Sequence, residues 1–220
     1  MIAELLLRRM MPLAGARLDA HLPFIGPAME KGGITTSDRI AAFMAQLAHE
    51  SGEYRHMEEI WGPTEDQLGY EGRADLGNVL AGDGIRFTGH GPMQITGRAN
   101  HRACGRWLGI DAEADPLLLT QPRYGTAAAV WFWTIGNGKI DLNLLADRGW
   151  FKTITRVING GLNGLSDRRQ YWDRNRALLG LSVVDLERES EEIRAFQRAR
   201  GLVADGVAGA RTFAAIRAAS

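Results

Sequence analysis

The chain has 220 residues, of which 45% are hydrophobic, and this is enough for a substantial globular core. Lys and Arg together number 26, as do Asp and Glu, so no net charge favours nucleic acid and we expect no such partner. The single cysteine, Cys104, excludes an internal disulfide framework and a cysteine-based zinc site, and we interpret it as a small buried residue.

The predicted elements are mainly α-helical. Residues 1–10 form a short apolar run broken by Glu4, Arg8 and Arg9, which indicates an amphipathic first helix rather than an export signal. No stretch approaches the roughly 20 apolar residues of a membrane span, so we expect no membrane insertion. Apolar residues at helical spacing predict five further helices, over 38–50, 98–108, 123–134, 150–158 and 167–179.

The helix predicted over 38–50 carries an acid where its apolar stripe should continue. One face holds apolar residues at a spacing of three and four, namely Ile40, Phe43, Met44 and Leu47. Glu50 falls three residues beyond Leu47 on that side. A carboxyl there is partly desolvated, and desolvation favours the protonated form, so Glu50 is a candidate proton donor. The alternative is a glutamate that caps or pairs within the last turn of an ordinary helix.

Two later segments differ from this helical pattern. Residues 60–97 are rich in glycine, with clear breaks at 82–84 and 89–92, which predicts functional loops or a small irregular hairpin. After Gly180 a charged stretch leads into a predicted helix, a turn at Asp205-Gly206 and a second helix. Its expected core consists of Phe196, Leu202, Val207, Phe213 and Ile216. We therefore predict a catalytic domain over 1–180 and a small helical module over 181–220, which at about 40 residues is marginal alone.

The C-terminal module resembles a known family. Phe196-Gln197, Gly201-Leu202, Asp205-Gly206, Gly209 and Thr212 are similar to the second half of a helical peptidoglycan-binding module. The first half of that module is not visible in the sequence.

The chain from about residue 20 to 179 resembles the chitinase-like lysozymes of glycoside hydrolase family 19, particularly phage endolysins. Four motifs in the family's order carry the resemblance: Ala48-His49-Glu50-Ser51-Gly52, then Glu58-Glu59-Ile60-Trp61-Gly62-Pro63-Thr64, then Gly89-His90-Gly91-Pro92-Met93-Gln94-Ile95-Thr96-Gly97-Arg98-Ala99-Asn100, and Val157-Ile158-Asn159-Gly160-Gly161. The resemblance implies a lysozyme-like, mainly α-helical domain with long irregular loops.

The resemblance also implies a pair of catalytic carboxyls. In this family one glutamate protonates the glycosidic oxygen and a second carboxylate activates the attacking water, with inversion of the anomeric carbon. Glu50 matches the acid and Glu59 best matches the base. Glu58 is the alternative base, because a one-residue slip in the loop would exchange the two.

Five further residues match family positions. Thr96 corresponds to a hydroxyl that holds the nucleophilic water, unless it serves only a local backbone group. Gln94, Asn100 and Asn159 correspond to substrate-contacting amides, although Asn159 also suits the end of a helix before a glycine cap. Arg168 corresponds to an arginine near the acid and base, for which Arg169 could substitute.

His90 marks a departure, because many relatives carry arginine there. It either titrates near physiological pH or is a loop histidine without a catalytic part, which is the simpler interpretation. A zinc hydrolase is a competing class, prompted by His49, His56, His90 and His101. The chain lacks His-Glu-x-x-His, however, so we expect no metal and no other cofactor.

The function implied is that of a monomeric endolysin that hydrolyses the β-1,4 bond between N-acetylmuramic acid and N-acetylglucosamine in bacterial peptidoglycan. It would stay in the cytosol until holin-dependent release and then act at the periplasmic cell wall. One alternative is a chitinase acting on poly-N-acetylglucosamine. Another is a non-catalytic wall-binding or phage structural protein, which would have no need of Glu50, Glu59 and Thr96 together.

Overall fold

A computed structural model of the chain describes residues 3–220; the first two residues of the predicted amphipathic helix lie outside the described residues. Within 3–220 the chain is mainly α-helical, and β-pairing is limited to two isolated bridges, Glu58 with His90 and His90 with Ile95. The α-helices are α1 Glu4–Met10, α2 Ala16–Lys31, α3 Ser37–Ser51, α4 Glu65–Leu68, α5 Asp83–Arg86, α6 Arg98–Leu108, α7 Pro122–Trp131, α8 Asn143–Ala146, α9 Phe151–Asn159, α10 Leu165–Leu178, α11 Glu189–Ala199 and α12 Ala210–Arg217. None of the helices in this range is both long and apolar enough to cross a bilayer.

The mainly α-helical class is confirmed. Each of the five helices predicted from spacing is present as α3, α6, α7, α9 and α10, and the last turn predicted for α7 is a π-helix, Phe132–Gly136. The sequence did not predict α2, which contains Pro23 and Pro27. A proline lacks the N–H that an interior helical position uses, so its presence usually ends a predicted helix. The glycine-rich stretch contains the predicted loops and a small hairpin at the His90–Ile95 bridge, and in addition the short helices α4 and α5 and a 3₁₀ helix, Ala74–Leu76, which were not predicted.

The chain divides into two compact units, and the first comprises the described part of Met1–Gly33 together with Leu47–Phe132. In this unit α2 and α6 both contact α7. A buried cluster beneath them consists of Ile95, Cys104, Ala112, Leu119, Ala128 and Trp131. Cys104 is fully buried, as predicted, and burial raises the pKa of its thiol to about 12, so it is an inert core residue.

The second unit comprises Ile34–Gln46 and Trp133–Ser220. Aromatic pairs organise its interior: Phe43 meets Trp133 edge to face with ring centroids 5.4 Å apart, and Phe151 stacks on Trp172 at 4.4 Å. Helix α3 begins in this unit and ends in the first, so its last five residues, including Glu50, belong to the first unit.

The C-terminal segment forms the predicted helix, turn and helix, with Gly206 in the left-handed region at φ 78°. Phe213 and Ile216 are buried, but the prediction that Val207 joins the core is wrong, since its side chain is 53% exposed. The reason is the buried amide of Gln197, which donates to Asp205, to Thr212 and to the Val207 carbonyl, and accepts from the Gly206 N–H. These bonds fix the turn with the Val207 side chain outward.

Candidate active site

Glu50 lies in the last turn of α3, immediately before a sharp reversal of the chain. The Ser51 hydroxyl donates to the Leu47 carbonyl at 2.7 Å and accepts the Tyr54 N–H at 2.9 Å. Two non-glycine residues that follow, Glu53 and Tyr54, have positive φ values of 56° and 63°. Glu50 is half-buried, and its Oε1 atom is enclosed.

This reversal is anchored within the first unit. The Tyr54 hydroxyl shares a 2.9 Å hydrogen bond with the Thr126 hydroxyl, and its ring stacks on His21 with centroids 3.8 Å apart. The buried carboxylate of Glu53 accepts the Leu13 N–H. The strained backbone is therefore held from three sides, and this fixes the end of the helix that carries Glu50.

The carboxylate of Glu59 is held by three donors. Its Oε1 accepts from Gln67 Nε2 at 2.9 Å and from the Tyr70 hydroxyl at 3.3 Å, while its Oε2 accepts the Gly89 N–H at 2.9 Å. In return, the Glu59 N–H donates to the Gly89 carbonyl at 2.8 Å. Glu58, one residue earlier, is exposed. Successive side chains of extended backbone point to opposite sides, so only Glu59 faces this cluster.

Gln67 is a residue that the sequence analysis missed. It is buried, and its amide oxygen accepts the N–H groups of Gly62 at 3.1 Å and Thr64 at 2.8 Å. Its amide nitrogen donates to Glu59 and, at 2.9 Å, to the Ile60 carbonyl. Thr64 and Gln67 form a capping box at the start of α4, and the spacing of Thr64-x-x-Gln67 was the readable signal.

A tight hairpin follows Gly89. His90 and Ile95 exchange both backbone hydrogen bonds, at 3.0 and 2.9 Å, and Gln94 closes the turn at φ 49°. The Gln94 amide nitrogen donates to the carbonyls of Gly91 at 3.0 Å and His56 at 3.3 Å. A Cβ on Gly89 would overlap the Gln94 side chain, so glycine at this position allows Gln94 to lie against the backbone of residue 89.

Thr96 and Asn100 are both linked to local backbone. The Thr96 hydroxyl donates to the Gln94 carbonyl at 3.0 Å, and Asn100 Nδ2 donates to the Thr96 carbonyl at 2.8 Å. The local role considered for Thr96 is therefore present, but its hydroxyl oxygen keeps lone pairs that can accept from water. Contacts thus run continuously from Glu59 through Gly89 and Gln94 to Thr96 and Asn100.

His90 lies inside this hairpin, not at its surface. Its Nδ1 is 3.0 Å from Nε2 of His101, whose own Nδ1 lies 2.9 Å from the Gly97 carbonyl. Burial lowers the pKa of His90, and burial lowers that of His101 to about 4. His90 therefore occupies a structural position, in agreement with the simpler interpretation of this residue. Among residues 3–220, no three His, Cys, Asp or Glu side chains cluster as metal ligands.

Asn159 and Arg168 lie in the second unit. Asn159 is exposed at the end of α9, and Gly160 follows it in the left-handed region at φ 75°, as the glycine-cap alternative requires. Arg168 is buried and donates through Nη1 to Gln46 Oε1, while Gln46 Nε2 donates to the Thr155 hydroxyl at 3.0 Å. Arg169 instead pairs with Asp173 on its own helix.

Comparison with known proteins identifies the family. The sequence model of a family described as chitinase class I, glycoside hydrolase family 19, matches residues 16–141, and that of a putative peptidoglycan binding domain matches 190–216. A Haemophilus influenzae protein named for a glycosyl hydrolase family 19 domain is 30% identical over 195 residues, which are 76% of this chain and 92% of that protein. An Arabidopsis thaliana endochitinase is 32% identical over 132 residues, 59% of this chain and 41% of its own length.

The fold agrees with solved structures of the same family. Chitinase C from Streptomyces griseus superposes with a TM-score of 0.67 and 22% identity, covering 84% of this chain and 79% of that one. A bacterial family 19 chitinase gives a TM-score of 0.64 at 22% identity, covering 84% and 98%. The chain therefore belongs to glycoside hydrolase family 19, and it is a glycosidase.

Proposed function

We propose that this glycosidase is a lysozyme that cleaves the β-1,4 bond between N-acetylmuramic acid and N-acetylglucosamine in peptidoglycan. The match of residues 190–216 to a putative peptidoglycan binding domain supports this substrate. The catalytic role proposed for Glu59 rests on one observation: Gln67, Tyr70 and the Gly89 N–H hold its carboxylate in one orientation. A catalytic carboxylate needs such fixed positioning.

In the proposed mechanism Glu50 and Glu59 have different tasks. Glu50, half-buried at the end of a rigidly anchored helix, protonates the glycosidic oxygen. Glu59 removes a proton from a water that attacks the anomeric carbon from the opposite face, so the product is inverted. The hydroxyl of Thr96 accepts a hydrogen bond from that water while it donates to the Gln94 carbonyl.

The substrate contacts assigned to Gln94, Asn100, Asn159 and Arg168 stay predictions. The donors of Gln94 and Asn100 bind backbone carbonyls, which leaves their amide oxygens as the groups for a sugar hydroxyl or N-acetyl N–H. Arg168 contributes through the buried network with Gln46 and Thr155.

We place the enzyme among phage endolysins on the resemblance of its four motifs, with release by a holin and action at the bacterial wall. The second candidate is a chitinase that acts on poly-N-acetylglucosamine. The names of several relatives, such as the Arabidopsis endochitinase, favour it. A non-catalytic wall-binding protein is disfavoured by the presence of Glu50, Glu59 and Thr96 in one unit.

The test is mass spectrometry of the products that wild type and Glu50→Gln release from purified peptidoglycan, with chitin digested in parallel. Muropeptides with reducing N-acetylmuramic acid ends, lost in the variant, would establish a lysozyme that uses Glu50. Products from chitin alone would support the chitinase. Anhydro ends would require a lytic transglycosylase mechanism, and intact glycan with retained wall binding would favour a binding protein.

A further inference from the structure

A cavity of about 480 Å³ opens in the second unit, and none of the candidate catalytic or substrate-binding residues lines it. Its walls come from α9, from α12 and from the loop at Gly138-Lys139. Arg217 Nη1, at the end of α12, donates to the Lys139 carbonyl at 2.6 Å. This bond joins the last helix to the loop and holds the cavity's two sides together.

The cavity is strongly cationic. Lys139, Arg156 and Arg217 line it, and no acidic side chain does. In the described chain none of these three cations forms an ion pair with a carboxylate. Glu189 acts electrostatically on Arg156, but its two oxygens accept the N–H groups of Lys152 and Thr153 and the Thr153 hydroxyl. Lys139 Nζ donates to the Val157 carbonyl at 3.4 Å, and this contact, like that of Arg217 with the Lys139 carbonyl, leaves the positive charge without a carboxylate. Lys139 and Arg217 therefore offer their charges to an anion from outside, and Arg156, which also interacts with Glu189, adds to them.

The remainder of the lining is mostly apolar, with Val157 and Phe213 as its largest apolar side chains and Thr153 as a polar exception. A ligand that fits this cavity combines carboxylate groups with small apolar side chains. The stem of peptidoglycan has this chemistry, since it is a short peptide of alanine, glutamate and a diamino acid that presents free carboxylates beside methyl groups. A phosphate polymer would use the cations but would leave the apolar part of the lining in contact with water.

We propose that this cavity binds the peptide stem of peptidoglycan, with a stem carboxylate among Lys139, Arg156 and Arg217 and alanine methyl groups against Val157 and Phe213. The proposal rests on the proposed function, which makes peptidoglycan the substrate. It adds that the enzyme recognises the peptide as well as the glycan.

The position of the three cations explains how a partial module can serve this purpose. All three lie outside residues 190–216, the segment that matches the peptidoglycan binding domain, whereas Phe213 lies inside it. The site is therefore composite: residues 190–216 supply part of the apolar lining, whereas Lys139 in the loop before α8, Arg156 in α9 and Arg217 supply the charge. Residues 190–216 alone would lack all three cations.

The test is sedimentation of the full chain with purified sacculi at 4 °C, comparing wild type with Lys139→Gln/Arg156→Gln. The control is Arg211→Gln, which removes a positive charge from α12 at an exposed residue outside the cavity. Each protein is also tested on sacculi whose stems an amidase has removed. We expect the double variant to bind intact sacculi about tenfold more weakly, the control to match wild type, and the difference to shrink in high salt.

On amidase-treated sacculi, wild type and the double variant should bind equally. The proposal would be overturned if wild type and the double variant bound intact sacculi equally, or if Arg211→Gln lost as much binding as the double variant. So would a difference that persists without stems and disappears when wall phosphate polymers are removed. Thermal unfolding of each variant checks that the fold is intact. If wild type binds through the cavity but releases no reducing ends from sacculi, the proposed function fails while the cavity assignment stands.

Discussion

The side-chain amide of Gln67 joins the Glu59 carboxylate to the loop that follows it. One Nε2 hydrogen bond, of 2.9 Å, reaches Glu59 Oε1, and the other, also 2.9 Å, reaches the Ile60 carbonyl. The amide oxygen accepts two backbone N–H groups of the same loop, those of Gly62 and Thr64. A single buried side chain thus satisfies four polar groups and sets the position of the candidate base.

Replacement of Gln67 by alanine should therefore affect both catalysis and stability. It removes the shorter of the two side-chain hydrogen bonds to Glu59, leaves a void at a buried position and releases backbone groups of the exposed loop that follows Glu59. We expect kcat to fall about tenfold and the free energy of unfolding to fall by about 1–3 kcal/mol. Steady-state kinetics on purified peptidoglycan and urea unfolding measure the two effects.

Thr64→Ala is the matched control, because it removes the other half of the capping box but no contact with Glu59. It should cost about 1 kcal/mol of stability and leave kcat within about twofold. Equal losses of kcat in the two variants would show that the loop acts only through its stability.

The assignment of the base can be tested with adjacent residues. Glu59→Gln should lower kcat at least about 100-fold, since it removes a general base and retains the size of the side chain. Glu58→Gln removes the same charge from the exposed neighbour and should stay within about twofold of wild type. Reducing-end assays on peptidoglycan give kcat, and thermal midpoints check the fold. The reverse ranking would make Glu58 the base.

The sequence could predict the helices that bury a regular apolar face. In α3, Phe43, Met44 and Leu47 are at most 1% exposed, and their spacing alone indicated the helix. Helix α2 was missed because Pro23 and Pro27 lie inside it. A sequence pattern within residues 16–31 cannot show that α2 packs against α7, and it is this packing that stabilises the helix despite its prolines.

The candidate site was less predictable, because its contacts depend on loop geometry. No periodicity connects Gln67 with Glu59, and no pattern shows that Gln197 turns Val207 outward. The motif resemblance selected Glu50 and favoured Glu59 over Glu58, but only by position in the loop. Successive side chains point to opposite sides of the extended backbone at the bridge between Glu58 and His90, and this is a physical reason to assign the base to Glu59.

His21 should make the protein less stable in acid. Its ring is buried against Tyr54, its Nδ1 has no hydrogen-bond partner within residues 3–220, and burial lowers its pKa from 6.5 to about 4. Between these values the unfolded chain binds more protons than the folded one, so stability falls as pH decreases from about 6.5 to 4. His21→Phe keeps the stacking and removes this titration.

His21 should lower the free energy of unfolding by about 1 kcal/mol at pH 5 relative to pH 7, after allowance for partial solvation. We therefore expect a smaller decrease in unfolding free energy between pH 7 and pH 5 in His21→Phe than in wild type. Urea unfolding at both values measures it. If the unfolding free energy falls by the same amount between pH 7 and pH 5 in His21→Phe and in wild type, His21 does not contribute to the acid sensitivity. His90 and His101, whose pKa values are also lowered, account for the acid sensitivity that should persist in the variant.

Glu189 should anchor the C-terminal segment to α9. Its Oε2 accepts the Lys152 N–H at 2.7 Å, and its Oε1 accepts the Thr153 N–H and hydroxyl, both at 2.7 Å. These amides are in the first turn of α9, where helical N–H groups have no partner within the helix, so Glu189 caps α9 from the start of α11. Glu189→Gln places an amide N–H against these donors.

We expect Glu189→Gln to lower the free energy of unfolding by about 2 kcal/mol, because a buried charged acceptor is lost. Glu187→Gln is the matched control: its side chain is 80% exposed and its ion pair with Lys152, at 3.0 Å, should be worth less than about 0.5 kcal/mol. Urea unfolding at pH 7 gives both values. If Glu189→Gln and Glu187→Gln lowered the free energy of unfolding equally, the cap on α9 would add no more stability than an exposed ion pair. A large loss in Glu189→Gln alone would show that residues after 180 stabilise α9, so their deletion would test folding as well as wall binding.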